Sequence, residues 1–185
     1  KRSSYKIEQM SEKLKILDNF LDQDSFLEIK KFITSPRCQW RFVDFIAHKD
    51  KRDNDKDGYF VHSFTDRHPE TLEERFSVSP NFTLLSKLML KIKENVSYKN
   101  ILRVRSSLYP RRHTQNPDPM HVDYTFPHTV CIYYVNTNNG YTMFNDGKKV
   151  SSLENRLLIF SGSEKHCSVV QTDTSARFII NINIL

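Results

Sequence analysis

The second half of this chain is a series of short β-prone runs punctuated by tight-turn residues, and that pattern limits the fold more than any other feature. From residue 101 onward, Ile101 to Tyr109 alternates, Thr129 to Val135 is densely β-branched and aromatic, and Tyr141 to Phe144 follows Asn139-Gly140. Asp146-Gly147 then leads to Lys149 and Val150, and Arg156 to Phe160, His166 to Val170 and Ala176 to Ile184 complete the series. Short strands joined by Asn-Gly and Asp-Gly turns predict an antiparallel barrel or sandwich. The four glycines, Gly58, Gly140, Gly147 and Gly162, all fall at such turns. No glycine-rich phosphate loop can be built from them, which argues against nucleotide folds of the Rossmann or P-loop kind.

The first hundred residues mix helix and strand. Asp22 or Asp24 can cap a helix running to about Phe32, with Phe26, Ile29, Phe32 and Ile33 at helical spacing. Trp40 to Ile46 and Tyr59 to Phe64 read as strands. Residues 48–58, without an apolar side chain, read as a solvated loop. Ser79-Pro80 opens a second helix, in which Leu84, Leu85, Leu88, Leu90 and Ile92 supply a buried stripe to about Val96. The expectation is one domain over residues 1–185, mainly β with flanking helices (α+β), with residues 1–100 supporting a core formed by residues 101–185.

A chain of 185 residues with 27% charged side chains can bury a full core. No apolar run approaches the roughly 18 residues that span a bilayer, and the charged start from Lys1 to Met10 lacks the apolar stretch of a secretion leader. We therefore expect a cytoplasmic protein with no membrane partner. Cys38, Cys131 and Cys167 form no CxxC motif and suit a reducing compartment. The net charge of +6 is scattered, so nucleic acid is a possible but not a favoured partner. Oligomeric state is not legible.

A carboxylate and two imidazoles can hold Fe(II) on one face and leave positions open. His-x-Asp on a strand puts two of the three side chains on the same side, because strand side chains alternate. Three segments offer the pattern or its glutamate variant: His48-Lys49-Asp50, His68-Pro69-Glu70 and His121-Val122-Asp123. His48 opens a charged loop and His68 precedes a proline in a polar stretch. Only His121 is followed by strands and by a third candidate ligand, His166. On the last strand, Arg177, Ile179, Asn181 and Asn183 share one face, and an arginine there is suited to clamp a dicarboxylate through two parallel hydrogen bonds. His113 and His128 are spare candidates, with His128 at most a pocket residue.

In these segments the chain resembles the 2-oxoglutarate/Fe(II)-dependent dioxygenases, in particular their prolyl 4-hydroxylase-like branch. The similarity rests on LRVRSSLY, MHVDYTFPHTVCIYYVN, NGYTMF and ENRLLIFSGSEKHCSVV followed by SARFIININ. It implies a double-stranded β-helix, the cupin-like jelly roll. It implies Fe(II) held by His121, Asp123 and His166, and 2-oxoglutarate bound by Arg177 with help from Tyr109. It implies O2 as oxidant, with ascorbate a candidate reductant. It also implies hydroxylation of a C–H bond with conversion of 2-oxoglutarate to succinate and CO2, and a peptide or protein substrate, peptidyl proline first. Two departures bear on that substrate. Collagen-type prolyl hydroxylases usually carry Lys where this chain has Arg177, and the segment PRRHTQNPDPM is longer than theirs and lacks glycine. Residues 48–58 and Pro110 to Pro119 are candidate substrate lids. The alternatives are an oxygenase directed at nucleic acid, using Arg103, Arg105, Arg111 and Arg112 on phosphates, and a jelly-roll binding module without catalysis.

Overall fold

The computed structural model describes residues 14–44, 58–75 and 78–185. Among these residues ten strands form two sheets. They are β1 (Leu14–Leu17), β2 (Arg41–Val43), β3 (Tyr59–Asp66), β4 (Ile101–Pro110), β5 (Thr129–Tyr134), β6 (Tyr141–Phe144), β7 (Lys149–Ser151), β8 (Arg156–Ser161), β9 (His166–Val169) and β10 (Ala176–Ile184). The larger sheet has the order β1-β8-β5-β10-β4-β3-β2, and the smaller the order β7-β6-β9, antiparallel throughout. This is a mainly β jelly roll with two flanking helices, as the turn pattern and the resemblance led us to expect.

Alternation on the central strands sorts the side chains into two cores. Cys131, Tyr133, Ile180, Ile182 and Ile184 face outward onto the helices. Val130, Ile132, Tyr134 and Ile179 face inward, where they meet Phe144, Val150 and Val170. Helix α1 (Gln23–Ile33) buries Phe26, Ile29 and Ile33, and of the two candidate caps Asp22 is the one used, accepting from the Ser25 amide at 3.0 Å. The Ser79-Pro80 start leads first into a 3-10 helix (Pro80–Leu85) and only then into α2 (Ser86–Asn95). Leu85, Leu88, Met89 and Ile92 follow helical spacing and are buried, while Leu90, two residues from Leu88 and from Ile92 within α2, is 65% exposed.

Of the strand expected over Trp40 to Ile46, β2 covers Arg41–Val43 and residues 45 and 46 lie outside the described part of the chain, while β3 runs two residues past Phe64. The loop of residues 48–57, including His48, also lies outside the described residues. The three cysteines are unpaired and buried. Burial pushes the Cys38 and Cys131 thiols up to about 12 and Cys167 to about 11, so they pack as small hydrophobes. Among the described residues, no helix is long and apolar enough to cross a membrane.

Candidate active site

The segment between β4 and β5 was expected to carry His121 and Asp123 on a strand. It is extended but irregular, and it adds to the free edge of β9 through isolated bridges, Pro117 with Val169 and His121 with His166. The Asp118 amide donates to the Ser168 carbonyl at 2.9 Å. His121 and His166 exchange both backbone hydrogen bonds, each at 3.0 Å. Directly opposed residues of such a pair project to the same face, and the two rings come within 4.8 Å. The half of Pro110 to Pro119 nearest the site is therefore fastened to the small sheet, with Arg112 donating to Asp118 at 2.7 Å.

Asp123 completes the group. Candidate ligand atoms of His121, Asp123 and His166 all lie within 4.8 Å of one another, close enough for one ion to bridge. Each histidine presents Nδ1 to a backbone carbonyl at 3.1 Å, that of Pro119 for His121 and that of Glu164 for His166. An Nδ1–H donated there leaves Nε2 as the free lone pair, and His121 Nε2 is 3.8 Å from Asp123 Oδ1. Burial and the neighbouring His166 hold His121 below its ordinary pKa, which favours the neutral form a ligand needs.

The Asp123 carboxylate is itself held from the large sheet. Oδ1 pairs with Arg103 at 3.0 Å; Oδ2 accepts from Asn183 at 2.7 Å and Asn181 at 3.2 Å. Burial alone would raise its pKa. Arg103, His166 and the Asn183 hydrogen bond outweigh that and hold it far below the carboxylate range. Sequence reasoning placed Asn181 and Asn183 on this face without giving them a part. Their spacing of two on an inward face of β10 was the available signal.

Arg177 occupies the other part of the interior. It stands opposite Tyr109 in the β4–β10 register and is only 1% exposed. Its Nε donates to Ser152 Oγ at 2.7 Å, and its terminal nitrogens donate to Ser168 Oγ and, at 3.4 Å, Thr142 Oγ1. The guanidinium lies 5.6 Å from the Tyr109 ring centre and 5.7 Å from that of Tyr134. Gly140 makes room for it: a Cβ there would sit 2.9 Å from Arg177 Cδ. Among the described residues no carboxylate pairs with Arg177. Burial and the adjacent Tyr59 push the Tyr109 hydroxyl up to about 12, keeping it a proton donor at neutral pH. Tyr134, Ser152 and Ser168 were not singled out from the sequence, and Thr142 entered only as part of NGYTMF. Ser168 was reachable, since it lies two residues beyond His166 on β9.

The remaining candidates stand apart. His68 Nδ1 accepts from the Glu70 and Thr71 amides in an exposed turn. His113 is not part of the metal-capable group. His128 packs against Tyr124 at 5.3 Å and over Gly162, where a Cβ would fall 2.1 Å from its ring. Of the four arginines considered for phosphate, Arg103 and Arg112 are engaged by Asp123 and Asp118.

No protein-family model matches the chain, and no curated protein sequence does. Solved structures do. A 2OG-Fe(II) oxygenase-family oxidoreductase from Burkholderia pseudomallei aligns with TM-score 0.70 and 12% identity over 93% of this chain and 85% of its own. A prolyl hydroxylase from Trichoplax adhaerens, in complex with a hypoxia inducible factor oxygen degradation domain peptide, aligns with TM-score 0.66 and 15% identity over 95% and 84%. A prolyl-4-hydroxylase from Pseudomonas putida aligns with TM-score 0.60 and 12% identity over 94% and 93%. The chain has the fold of the 2-oxoglutarate/Fe(II) oxygenases.

Proposed function

We propose that this chain is an Fe(II)- and 2-oxoglutarate-dependent dioxygenase that hydroxylates a C–H bond of a second substrate. The observation that carries the reading is a conjunction inside one barrel. A metal-capable His-Asp-His group lies there together with a buried guanidinium that no carboxylate of the described chain neutralises. An unpaired buried cation is costly, and a dicarboxylate cosubstrate would offset that cost at the end of the pocket away from the metal.

Bound Fe(II), with 2-oxoglutarate and O2, supplies oxidative decarboxylation to succinate and CO2 coupled to C–H hydroxylation, with ascorbate as auxiliary reductant. The protein's part is placement. His121 and His166 offer Nε2, fixed by their carbonyl partners, and Asp123 offers a carboxylate oriented by Arg103, Asn181 and Asn183. Arg177 takes the far carboxylate of 2-oxoglutarate, aided by the Tyr109 hydroxyl. Val130, Ile132, Ile179 and Phe160 wall the interior and exclude water. A peptide substrate, with proline the first residue to test, is supported by the prolyl hydroxylases among the similar folds.

Thermal shift with Mn(II) and 2-oxoglutarate tests the reading. Stabilisation by the metal is expected, with a further increment from 2-oxoglutarate. His166→Ala removes both and Arg177→Ala only the second. A parent protein that gains no stability from either would overturn the proposal.

A further inference from the structure

Arg105 is the interior charge that the reading above leaves unused. It stands on the inward face of β4 between Arg103, paired with Asp123, and Tyr109, opposite Arg177. Its cross-strand neighbours are Ser63 on β3 and Asn181 on β10. The guanidinium lies over the Tyr59 ring, 5.9 Å from its centre. Tyr59 stacks on Tyr109 at 5.2 Å with 7° between planes, so Arg105 and Arg177 each lie over a different ring of one stack.

Among the described residues the Arg105 side chain makes no ion pair and no hydrogen bond, and its Nε is buried without a partner. Arg103 and Arg67 also have a buried Nε without a partner, but their charges are paired: Arg103 has Asp123 and Arg67 has Glu74, as Arg112 has Asp118. Buried donors are rarely left unsatisfied unless something outside the chain completes them. Its partner across the sheet, Asn181, donates to Asp123 at 3.2 Å, which puts Arg105 next to the metal-capable group.

We infer that Arg105 recognises the primary substrate, and that this substrate carries a carboxylate which Arg105 binds next to the metal. The inference rests on the oxygenase reading. A carboxylate is favoured over a phosphate because, with Arg177 given to 2-oxoglutarate, Arg105 is the one uncompensated guanidinium left among the described inward-facing residues of β4 and β10. A phosphate group carries about −1.5 to −2 charge and calls for several cations, whereas a single planar fork matches a carboxylate.

The test uses the full chain loaded with Mn(II) and saturating 2-oxoglutarate, and reads the Mn(II)-induced NMR relaxation of added probes. N-acetylglycine offers a main-chain carboxylate, N-acetylglutamate 1-amide a side-chain carboxylate, and N-acetylglutamine amide a neutral control; inorganic phosphate is the fourth probe. Saturable relaxation is expected for a carboxylate and not for the neutral amide. The tighter of the two carboxylates identifies the source, chain terminus or free amino acid against acidic side chain. Arg105→Gln weakens that binding by about tenfold or more and Arg105→Lys recovers part of it. Thermal stabilisation of both variants by Mn(II) and 2-oxoglutarate checks their folding. Phosphate binding more tightly than either carboxylate overturns the inference. So does carboxylate binding that ignores Arg105→Gln, or a loss confined to 2-oxoglutarate. A parent chain that takes up neither Mn(II) nor 2-oxoglutarate overturns the oxygenase reading along with it.

Discussion

The two ends of the barrel interior handle buried charge in opposite ways. At one end Asp123 is neutralised by Arg103 and carries hydrogen bonds from Asn181 and Asn183. At the other Arg177, buried more completely than any other charged side chain here, is met only by hydroxyls and aromatic faces. The first arrangement is self-sufficient without a ligand and fixes a carboxylate in place. The second is incomplete, and hydroxyl dipoles compensate a cation only in part. The difference teaches that the metal-capable end is preorganised by the fold, whereas the Arg177 end holds back free energy that an incoming dianion can release.

Substitutions at the two ends should therefore behave differently in the metal-free, ligand-free protein. The largest effect is expected from Asp123→Ala. It leaves Arg103 buried and unpaired, and urea unfolding should show a loss of about 3–5 kcal/mol together with abolished Mn(II) binding. Stability equal to the parent would mean that the Asp123 end is not self-sufficient.

Arg177→Met breaks the comparison from the other side. Without 2-oxoglutarate it should leave stability unchanged or raised, because a costly buried cation is exchanged for apolar volume. Calorimetry should show the 2-oxoglutarate dissociation constant rising well over tenfold, from loss of a charged partner worth about 1.5–3 kcal/mol. A strongly destabilised variant would show that the hydroxyls already satisfy Arg177.

Asn183→Ala sharpens the account of the Asp123 end. Removing the 2.7 Å hydrogen bond to Oδ2 should weaken Mn(II) binding by about tenfold, the lower range for loss of a ligand's orienting partner, while 2-oxoglutarate affinity at fixed metal saturation changes little.

The smallest effect concerns pH. The folded pKa of His121 is depressed by burial and by His166, so the unfolded chain binds the extra proton first. Stability is full above the unfolded histidine value of about 6.5 and falls as pH drops from there toward the folded value. Urea midpoints of the metal-free protein between pH 7 and 5 should show this slope, and His121→Gln should flatten it.

Much of the fold was readable because it depends on short-range rules. The period of two on β10 put Arg177, Asn181 and Asn183 on one face and Ile180, Ile182 and Ile184 on the other, as the two cores show. Tight-turn residues marked the strand ends after residue 101, and Asp22 and Ser79 marked the helix starts. Leu90 was misplaced because it stands two residues from Leu88 and from Ile92, and in the α-helix that holds all three a step of two turns a side chain to the other side.

The sequence by itself determined which residue types were available for metal and dicarboxylate chemistry, and the face of each strand on which they lie, because alternation is a local property of an extended chain. Tertiary structure alone decided which of those faces meet. Pairing of the His121 segment with β9, the β4–β10 register that sets Tyr109 against Arg177, and the placing of Arg103 on Asp123 join residues far apart in the chain. Such contacts follow from sheet order and from the burial of both faces, which no local pattern encodes.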